Sequence, residues 1–340
     1  MTHSNPPTTD NHTSPRMNVI SLFSGVGFQE MGITVPFNLI HWCEKDKKTS
    51  EIFKLLHNVS DDTNLGDITQ VQQSDLRIPE EGIHLLTSTF PCQSFSNQGK
   101  KEGFNCDKNG NMFHHSCRMI EYVSPKVVVF ENVKNILNKK FNSTEIITNR
   151  MDELGYECHY KVLNSIHYGV PQSRDRWFMV CFRKDMEVSD FTFPEPIPLT
   201  RCVRDIIDFT DTERKCDSDM IPYFDSSYHR EFRSRNNLKK VFDGYQDKYF
   251  KNGFGKHRIY SIEGCSPTIL KNDCIHFLEV GGKLTSIERC RLMGMKDDDY
   301  HLLRSNGVST RMFSHITGNG VVVDVFRHLF NSIRPYLDLE

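Results

Sequence analysis

The chain has 340 residues, of which 25% are charged, and a formal net charge of -2. Its length suits one large α/β domain with a smaller second lobe, and the near-neutral charge argues against a uniformly basic nucleic-acid-binding protein. Because it has neither a membrane-length apolar run nor a signal-peptide core in residues 1–17, we expect an intracellular protein, cytoplasmic in a prokaryote and nuclear in a eukaryote.

The cysteines and histidines predict neither disulfides nor a metal site. Eleven cysteines occur without any Cys-x-x-Cys pair, which in a chain of this size favours reduced thiols. The cluster His114-His115-Ser116-Cys117 could suggest a metal, but nothing else at ligand spacing accompanies it. We therefore interpret this cluster as one face of a helix.

The order of elements along the chain predicts a mostly parallel sheet flanked by helices. Residues 1–17 are poor in apolar side chains and are predicted to be a disordered tail. From Asn18, short aliphatic runs alternate with longer amphipathic stretches. The predicted strands are 19–23, 38–43, 83–89, 126–130, 160–164 and 177–182. The predicted helices are 51–56, 112–123 and 144–154, followed by 286–293 and 322–333 after a polar region that begins at the proline-rich segment 193–198.

Ligands of such a sheet bind beyond the carboxyl ends of its strands. After the first strand come Gly25 and Gly27, which would allow a tight turn beside a helix N-terminus. Glu44 follows the second strand about twenty residues later, where dinucleotide-binding folds place a ribose-binding acid. The glycine pair alone could equally be an ordinary turn. It also lacks the third glycine of dehydrogenases, which favours a cofactor without a pyrophosphate.

Side chains that could take part in chemistry lie at the ends of two further predicted strands and just before a third. Cys92 lies just after a strand and directly after Pro91, although most cysteines are inert small hydrophobic residues. Glu131 ends the next strand, so its carboxylate would share an edge with the thiol and could act as an acid. Arg174 and Arg176 could hold a carboxylate, a phosphate or a carbonyl oxygen, or form a surface salt bridge.

A basic segment lies between Arg230 and Arg258, with nine basic residues against three acidic ones. Six aromatic residues are interleaved with these charges, as in surfaces that contact phosphates, sugars and bases. A solvated charged face is an equally common interpretation of such a run.

The ordered set of motifs resembles the cytosine-C5 DNA methyltransferases of the bacterial restriction-modification type, from about Asn18 to the end. The matching segments are Leu22-Phe23-Ser24-Gly25-Val26-Gly27, Glu44, Gly66-Asp67-Ile68, Phe90-Pro91-Cys92-Gln93-Ser94-Phe95-Ser96, Glu131-Asn132-Val133, Gln172-Ser173-Arg174-Asp175-Arg176, 284–294 and Gly318-Asn319-Gly320-Val321. The resemblance implies a Rossmann-like methyltransferase fold of the S-adenosylmethionine-dependent type with a smaller target-recognition domain. The implied ranges are 18–184 for the catalytic and cofactor-binding domain, 185–311 for target recognition, and 312–340 for a segment that returns to the catalytic domain.

The resemblance also implies roles for single residues. Cys92 would attack C6 of a flipped-out cytosine, so that C5 can take a methyl group from S-adenosylmethionine. Glu131 would hydrogen-bond or protonate N3. Arg174 and Arg176 would hold the base O2 and a nearby phosphate and help to orient Glu131. No metal is expected.

The implied cofactor pocket places Glu44 on the ribose and Asp67 on the adenine amino group. Its residues are Phe23, Ser24, Gly25, Gly27, Glu44, Lys45, Asp67, Ile68, Pro91, Asn319 and Val321. The implied DNA-binding residues are Gln93, Ser96, Lys100, Arg258 and Thr268. A threonine beside aliphatic residues is equally an ordinary strand residue, which leaves two interpretations of Thr268. Two departures from the family pattern, Ser21 and Phe28, could weaken cofactor binding.

Two other functions stay open at this point. A tRNA cytosine-C5 methyltransferase would carry a second proline in place of Phe90 and a Cys-Phe-Thr signature, and both are missing here. A DNA-binding homologue without catalysis is disfavoured by intact Cys92, Glu131, Arg174 and Arg176. The expected partner is double-stranded DNA, the expected state is a monomer, and a cognate restriction endonuclease acting separately is compatible with the resemblance.

Overall fold

The computed structural model describes residues 16–91, 112–230, 232, 236–243, 257–272 and 274–337. Its main sheet is formed by β1 (Met17–Leu22), β2 (Phe37–Cys43), β3 (Leu85–Ser88), β4 (Val127–Val133), β5 (Tyr156–Asn164) and, after the short β6 (Gln172–Ser173), β7 (Asp175–Arg183). All six predicted strands are present, with bounds shifted by a few residues. The first strand begins at Met17, one residue inside the range predicted as a tail.

The strand order of the main sheet is β2-β1-β3-β4-β7-β5. The four strands from β1 to β4 pair in parallel, whereas β7 runs antiparallel to both β4 and β5. A short return through β6 leads from β5 into β7, and such a return allows antiparallel pairing without a helical crossover. The predicted mostly parallel α/β fold is confirmed.

Seven α-helices lie within the described residues: α1 (Lys47–His57), α2 (Met112–Val123), α3 (Ser143–Glu153), α4 (Ser286–Met293), α5 (Asp297–Ser305), α6 (Thr310–Asn319) and α7 (Val323–Ile333). Helices α5 and α6 were not predicted from the sequence. Both carry start signals, since acidic residues occupy the first turn of α5 and the Ser309 side chain accepts from the Met312 N–H at the start of α6. None of the helices described is long and apolar enough to cross a membrane.

Helices cover both faces of the main sheet, because alternate strand residues point to opposite sides. On β4, Val128 and Phe130 pack in one layer with residues of α2 and α3. Val127 and Val129 pack in the other layer with residues of α4, α6 and α7. The helices between 286 and 333 therefore rest on the same sheet as the predicted catalytic range.

A second, smaller sheet lies within the range predicted for target recognition. It contains β8 (Lys240–Asp243), β9 (Arg258–Tyr260) and β11 (Ile275–Phe277) in the order β11-β9-β8, while β10 (Ser266–Pro267) pairs with β6. A separate cluster of three buried hydrophobic residues packs against it, namely Met220, Phe242 and Ile259. This small core holds far fewer residues than the layers of the main sheet.

The prediction that all cysteines are reduced is wrong for one pair. Cys158 on β5 and Cys181 on β7 are direct partners across the antiparallel strands, and the structure joins them in a disulfide. Strand register brings them together across 23 residues of sequence, and no cysteine spacing signals such a contact. The other seven cysteines among the described residues are free thiols.

Candidate active site

The turn that follows β1 has a backbone conformation that favours glycine. Phe23, Gly25 and Gly27 all have positive φ angles, of 55°, 58° and 84°. A Cβ on Gly27 would lie 1.8 Å from Nε2 of His57, so conformation and space both require glycine there. A Cβ on Gly25 would meet no atom within 4 Å. These predicted cofactor residues therefore form a tight turn with open space on one side.

Hydrogen bonds from Ser24 and Cys43 join this turn to neighbouring segments. The Ser24 hydroxyl donates to the Ser21 carbonyl at 2.9 Å and accepts from the Cys43 N–H at 3.1 Å. The Cys43 thiol in turn donates to the Gly66 carbonyl at 3.1 Å. The three segments that carry most of the predicted cofactor residues therefore converge at the carboxyl ends of β1 and β2.

Asn64, a residue not singled out from the sequence, joins the two segments that carry the acidic residues predicted to bind the cofactor. Its side-chain oxygen accepts from the N–H groups of Glu44 at 3.2 Å and Gly66 at 2.9 Å. Its amide donates to the Glu44 carbonyl at 3.2 Å. An asparagine two residues before a glycine is a turn signal, but only the fold reveals that it reaches back to Glu44.

The two carboxyl groups have different electrostatic environments. Burial raises the pKa of Glu44. The Thr69 N–H, 3.0 Å from Oδ1 of Asp67, holds the pKa of that carboxyl below its usual range. The Lys45 ammonium lies 3.9 Å from the same carboxylate in a largely exposed pair. Asp67 is therefore an ionised hydrogen-bond acceptor near neutral pH.

We expect Asn64→Ala to weaken binding of S-adenosylmethionine by about 10-fold, because the lost side-chain hydrogen bonds, worth about 1 kcal/mol each, no longer fix Glu44. Isothermal titration calorimetry measures the change. Asn138→Ala is the matched control, since that side chain also accepts a turn hydrogen bond, from Lys140, away from the site. Equal cofactor affinity in Asn64→Ala and wild type would contradict this role.

The remaining predicted cofactor residues lie in different environments. Ile68 and Val321 are buried, Pro91 is partly buried, and Asn319 is exposed at the end of α6. The glycine that follows Asn319 is packed tightly, since a Cβ on Gly320 would lie 2.3 Å from the ring of Phe28. Phe28, which departs from the family pattern, is therefore accommodated by the lack of a side chain at Gly320.

Glu131 and Arg176 form a buried ion pair at the end of the main sheet. The guanidinium Nε of Arg176 lies 3.0 Å from Oε1 of Glu131, and the two side chains are 14% and 9% exposed. Burial raises the pKa of Glu131, and the nearby charges of Arg176 and Arg174 oppose that rise. A carboxyl with a raised pKa can hold a proton closer to neutral pH, which suits an acid catalyst.

The chain that leads to Cys92 is anchored to the strand that carries Glu131. In the pairing of β3 with β4, Ser88 lies opposite Phe130. The side-chain amide of Asn132 then donates to the Phe90 carbonyl at 3.1 Å, two residues before Cys92. Cys92 itself lies outside the described residues. The Asn132 contact holds the Phe90 carbonyl close to the strand that carries Glu131.

Arg174 occupies a different environment from its neighbour. It is 1% exposed and donates to the carbonyls of Ile269 at 3.1 Å, Gly318 at 3.0 Å and Gly320 at 2.6 Å. These contacts connect Arg174, directly before β7, to the segment at Ile269 and to the two glycines on either side of Asn319. Its predicted contact with the base stays a prediction, whereas its hold on the backbone is a feature of the fold.

The structure leaves the predicted DNA-binding residues only partly described. Gln93, Ser96 and Lys100 lie outside the described residues, as does much of the basic segment. The Thr268 hydroxyl donates to the Ser173 carbonyl at 2.7 Å, and Arg258 lies 3.4 Å from the Asp243 carboxylate. Both side chains therefore have intramolecular partners, and their predicted contacts with DNA stay predictions.

The family model of C-5 cytosine-specific DNA methylases matches residues 17–334. The chain belongs to this family. The methylase is 32% identical over 334 residues to the type II methyltransferase M.HhaI of Haemophilus parahaemolyticus, which covers 95% of this chain and 96% of that protein. It is 29% identical over 341 residues to M.SsoII of Shigella sonnei, covering 98% of this chain and 84% of that protein.

Solved structures show the same fold at lower identity. A putative DNA modification methyltransferase encoded in an Escherichia coli prophage aligns with a TM-score of 0.66 and 18% identity, covering 95% of this chain and 99% of that one. The Schizosaccharomyces pombe Dnmt2 methyltransferase aligns with a TM-score of 0.65 and 16% identity, covering 94% and 99%. The predicted methyltransferase fold is confirmed by these neighbours.

The family and its named relatives confirm the predicted activity. This methylase is a DNA (cytosine-5-)-methyltransferase, its methyl donor is S-adenosylmethionine, and its substrate is double-stranded DNA.

Proposed function

We propose that methyl transfer proceeds through a covalent adduct between Cys92 and C6 of a cytosine flipped out of the duplex. The observation that carries this proposal is the buried pair of Glu131 and Arg176 at the end of β4. The Phe90 carbonyl, just beyond the neighbouring strand β3, accepts a hydrogen bond from the Asn132 side chain at this edge. This contact supports a site in which the Cys92 thiol and the Glu131 carboxyl act together where ligands of an α/β sheet bind.

Each residue has a defined chemical task in this mechanism. Addition of the Cys92 thiolate to C6 moves electron density toward C5 and N3. A proton or hydrogen bond from Glu131 to N3 neutralises the charge that develops on the ring. S-adenosylmethionine, when bound, supplies the electrophilic methyl group for C5. The demethylated thioether is the leaving group of that transfer. Water then takes the C5 proton, the C5–H electron pair re-forms the C5–C6 double bond, and the C6–S bond breaks to release the Cys92 thiolate.

The environment of Glu131 suits this task. Burial favours its protonated form, and Arg176 fixes the carboxyl through Oε1, so we assign Oε2 to the base. We assign Arg174 to positioning, because its guanidinium serves three backbone carbonyls. In this assignment Arg176 orients the acid Glu131, and Arg174 holds the later segments at Ile269 and Gly318–Gly320.

The cofactor residues fit an adenosine group by their chemistry. Glu44 offers a carboxylate for ribose hydroxyls beside the glycine turn, and Asp67 offers an ionised acceptor for the adenine amino group. Open space at Gly25 leaves room for a ligand close to the backbone. We assign the rest of the predicted pocket, including Asn319, to its walls.

DNA recognition is assigned to the range 185–311, with the small sheet at its centre. Extrusion of the target base costs a few kcal/mol, and contacts from the segment after Cys92 to the DNA backbone would offset that cost. We assign Gln93, Ser96 and Lys100 to these contacts, and Arg258 and Thr268 to the recognition side. We further propose a monomer that acts apart from any cognate restriction endonuclease. Sedimentation of the protein with and without duplex DNA tests the monomeric state.

A trapping experiment tests the proposed adduct. In duplex DNA of random sequence that carries 5-fluorocytosine, C5 has no proton to lose, so the Cys92 adduct cannot resolve after methyl transfer. We expect a denaturant-resistant protein–DNA complex with wild type and S-adenosylmethionine, and none with Cys92→Ala. Cys202→Ala, which alters a partly exposed free cysteine, should trap DNA as wild type does. Trapping by Cys92→Ala would contradict the proposal.

A further inference from the structure

Three side chains that are far apart in sequence meet beside the small sheet. His257 precedes β9, His276 lies in the middle of β11, and Asp217 comes from the loop before residues 218–224. Oδ2 of Asp217 lies 3.5 Å from Nδ1 of His257 and 3.5 Å from Nε2 of His276. Together they are a group of potential metal ligands whose ligand atoms all lie within 4.8 Å of one another.

The geometry and chemistry of this group match a tetrahedral metal centre. With metal–ligand bonds of about 2.0–2.2 Å, ligand atoms at tetrahedral angles are separated by roughly 3.3–3.6 Å. The two separations that involve Asp217, 3.5 Å each, fall in this range. Two imidazoles and one carboxylate form a ligand set used by Zn²⁺, with one position left for water. The imidazole of His276 is fully buried and that of His257 is nearly so, which limits competition from bulk water.

We propose that Asp217, His257 and His276 form a binding site for a divalent transition metal of the zinc class. The site would join a loop to two strands of the small sheet. The small sheet has a separate cluster of only three buried hydrophobic residues, while Tyr260 and Phe277 of the same sheet belong to the main core. A metal would add a crosslink beside this small cluster. The proposal is independent of the catalytic assignments above.

Lys283 competes with a metal at this site. Its ammonium lies 2.8 Å from Oδ2 of Asp217, and its side chain is 26% exposed. The ion pair occupies a carboxylate oxygen that the metal would use, so the lysine must turn toward solvent when the metal binds. Removal of the ammonium should therefore strengthen metal binding, whereas it would have no such effect on a purely structural ion-pair cluster.

Cobalt titration of the full chain tests the site. After removal of metals with EDTA, we expect one equivalent of Co²⁺ to bind with the visible absorption of four-coordinate cobalt, and Zn²⁺ to displace it. Bound Zn²⁺ should also raise the midpoint of thermal unfolding. Asp217→Asn keeps the shape of the side chain and should weaken binding by roughly 100-fold.

Two further variants make the result specific. Lys283→Met should strengthen cobalt binding by roughly 10-fold, because a nearby positive charge is lost. His301→Gln changes an exposed histidine on α5 and should bind cobalt as wild type does. A wild-type protein that binds no cobalt would overturn the proposal. So would Asp217→Asn or Lys283→Met protein with wild-type affinity.

Discussion

Glu131→Gln should lower the rate constant of methyl transfer by roughly 10²- to 10⁴-fold, the range contributed by general acid–base catalysis. Glutamine keeps the shape of the side chain and can donate a hydrogen bond to N3, but it cannot deliver a proton. Because Glu131 is assigned to the base and not to the cofactor pocket, affinity for S-adenosylmethionine should stay near the wild-type value. Single-turnover assays with labelled cofactor measure the effect.

The pH dependence of the same variant provides a second test. Burial raises the pKa of Glu131, so its protonated form persists to higher pH than for an exposed glutamate. Activity that needs this proton should fall as pH rises through the raised pKa, while the thiolate requirement makes activity fall at low pH. Glu131→Gln should lose the alkaline fall and keep the acidic one. An unchanged profile in Glu131→Gln would contradict the role of Glu131 as acid.

Glu153→Gln is the matched control for this experiment. Its carboxylate pairs with Arg150 on the surface at 2.9 Å, and a surface ion pair of this kind contributes little to stability. We expect wild-type rates and a wild-type pH profile from Glu153→Gln. A comparable loss in both variants would point to a general effect of charge and not to catalysis.

Arg174→Met should destabilise the fold by about 3 kcal/mol, since buried acceptors left without donors cost about 1–3 kcal/mol each. The carbonyls of Ile269, Gly318 and Gly320 all lose their guanidinium donor in this variant. Affinity for S-adenosylmethionine should fall as well, because the segment around Asn319 loses its anchor. Calorimetric unfolding and cofactor titration measure the two effects.

Arg176→Met separates this structural effect from a catalytic one. Its guanidinium pairs with Glu131, which can take up a proton when the pair is lost, so the cost in stability should be smaller. We expect Arg176→Met to lose methyl transfer while unfolding at a higher temperature than Arg174→Met. Equal unfolding temperatures would contradict the different roles assigned to the two arginines.

The central strands of the main sheet could be predicted from sequence because they are buried on both faces. Residues Val127 to Val129 form a short continuous run of β-branched residues, which favours a buried strand over a helix. The same reasoning located Glu44, which follows β2, and Glu131, which lies near the carboxyl end of β4. Helices α5 and α6 were not predicted, although the acidic first turn of α5 and the Ser309 cap of α6 are signals that the sequence offers.

Contacts that depend on the path of the chain could not be predicted. Asn64 reaches Glu44 across a connection of 20 residues, and the register of β5 with β7 places Cys158 beside Cys181. The group of Asp217, His257 and His276 likewise combines a loop, the residue before β9 and strand β11. Its members are therefore too far apart in sequence for ligand spacing to predict the site. Sequence patterns indicated which residue types could take part in chemistry or ligand binding. The topology of the chain determined which of these residues lie next to one another.

The most direct test of the central claim is a methylation assay with labelled S-adenosylmethionine and duplex DNA of mixed sequence, comparing wild type with Cys92→Ala. The DNA product is sequenced for 5-methylcytosine. Methylation by wild type within one short sequence, with none from Cys92→Ala, is the result we predict. Transfer to tRNA instead of DNA, or continued methylation by Cys92→Ala, would contradict it.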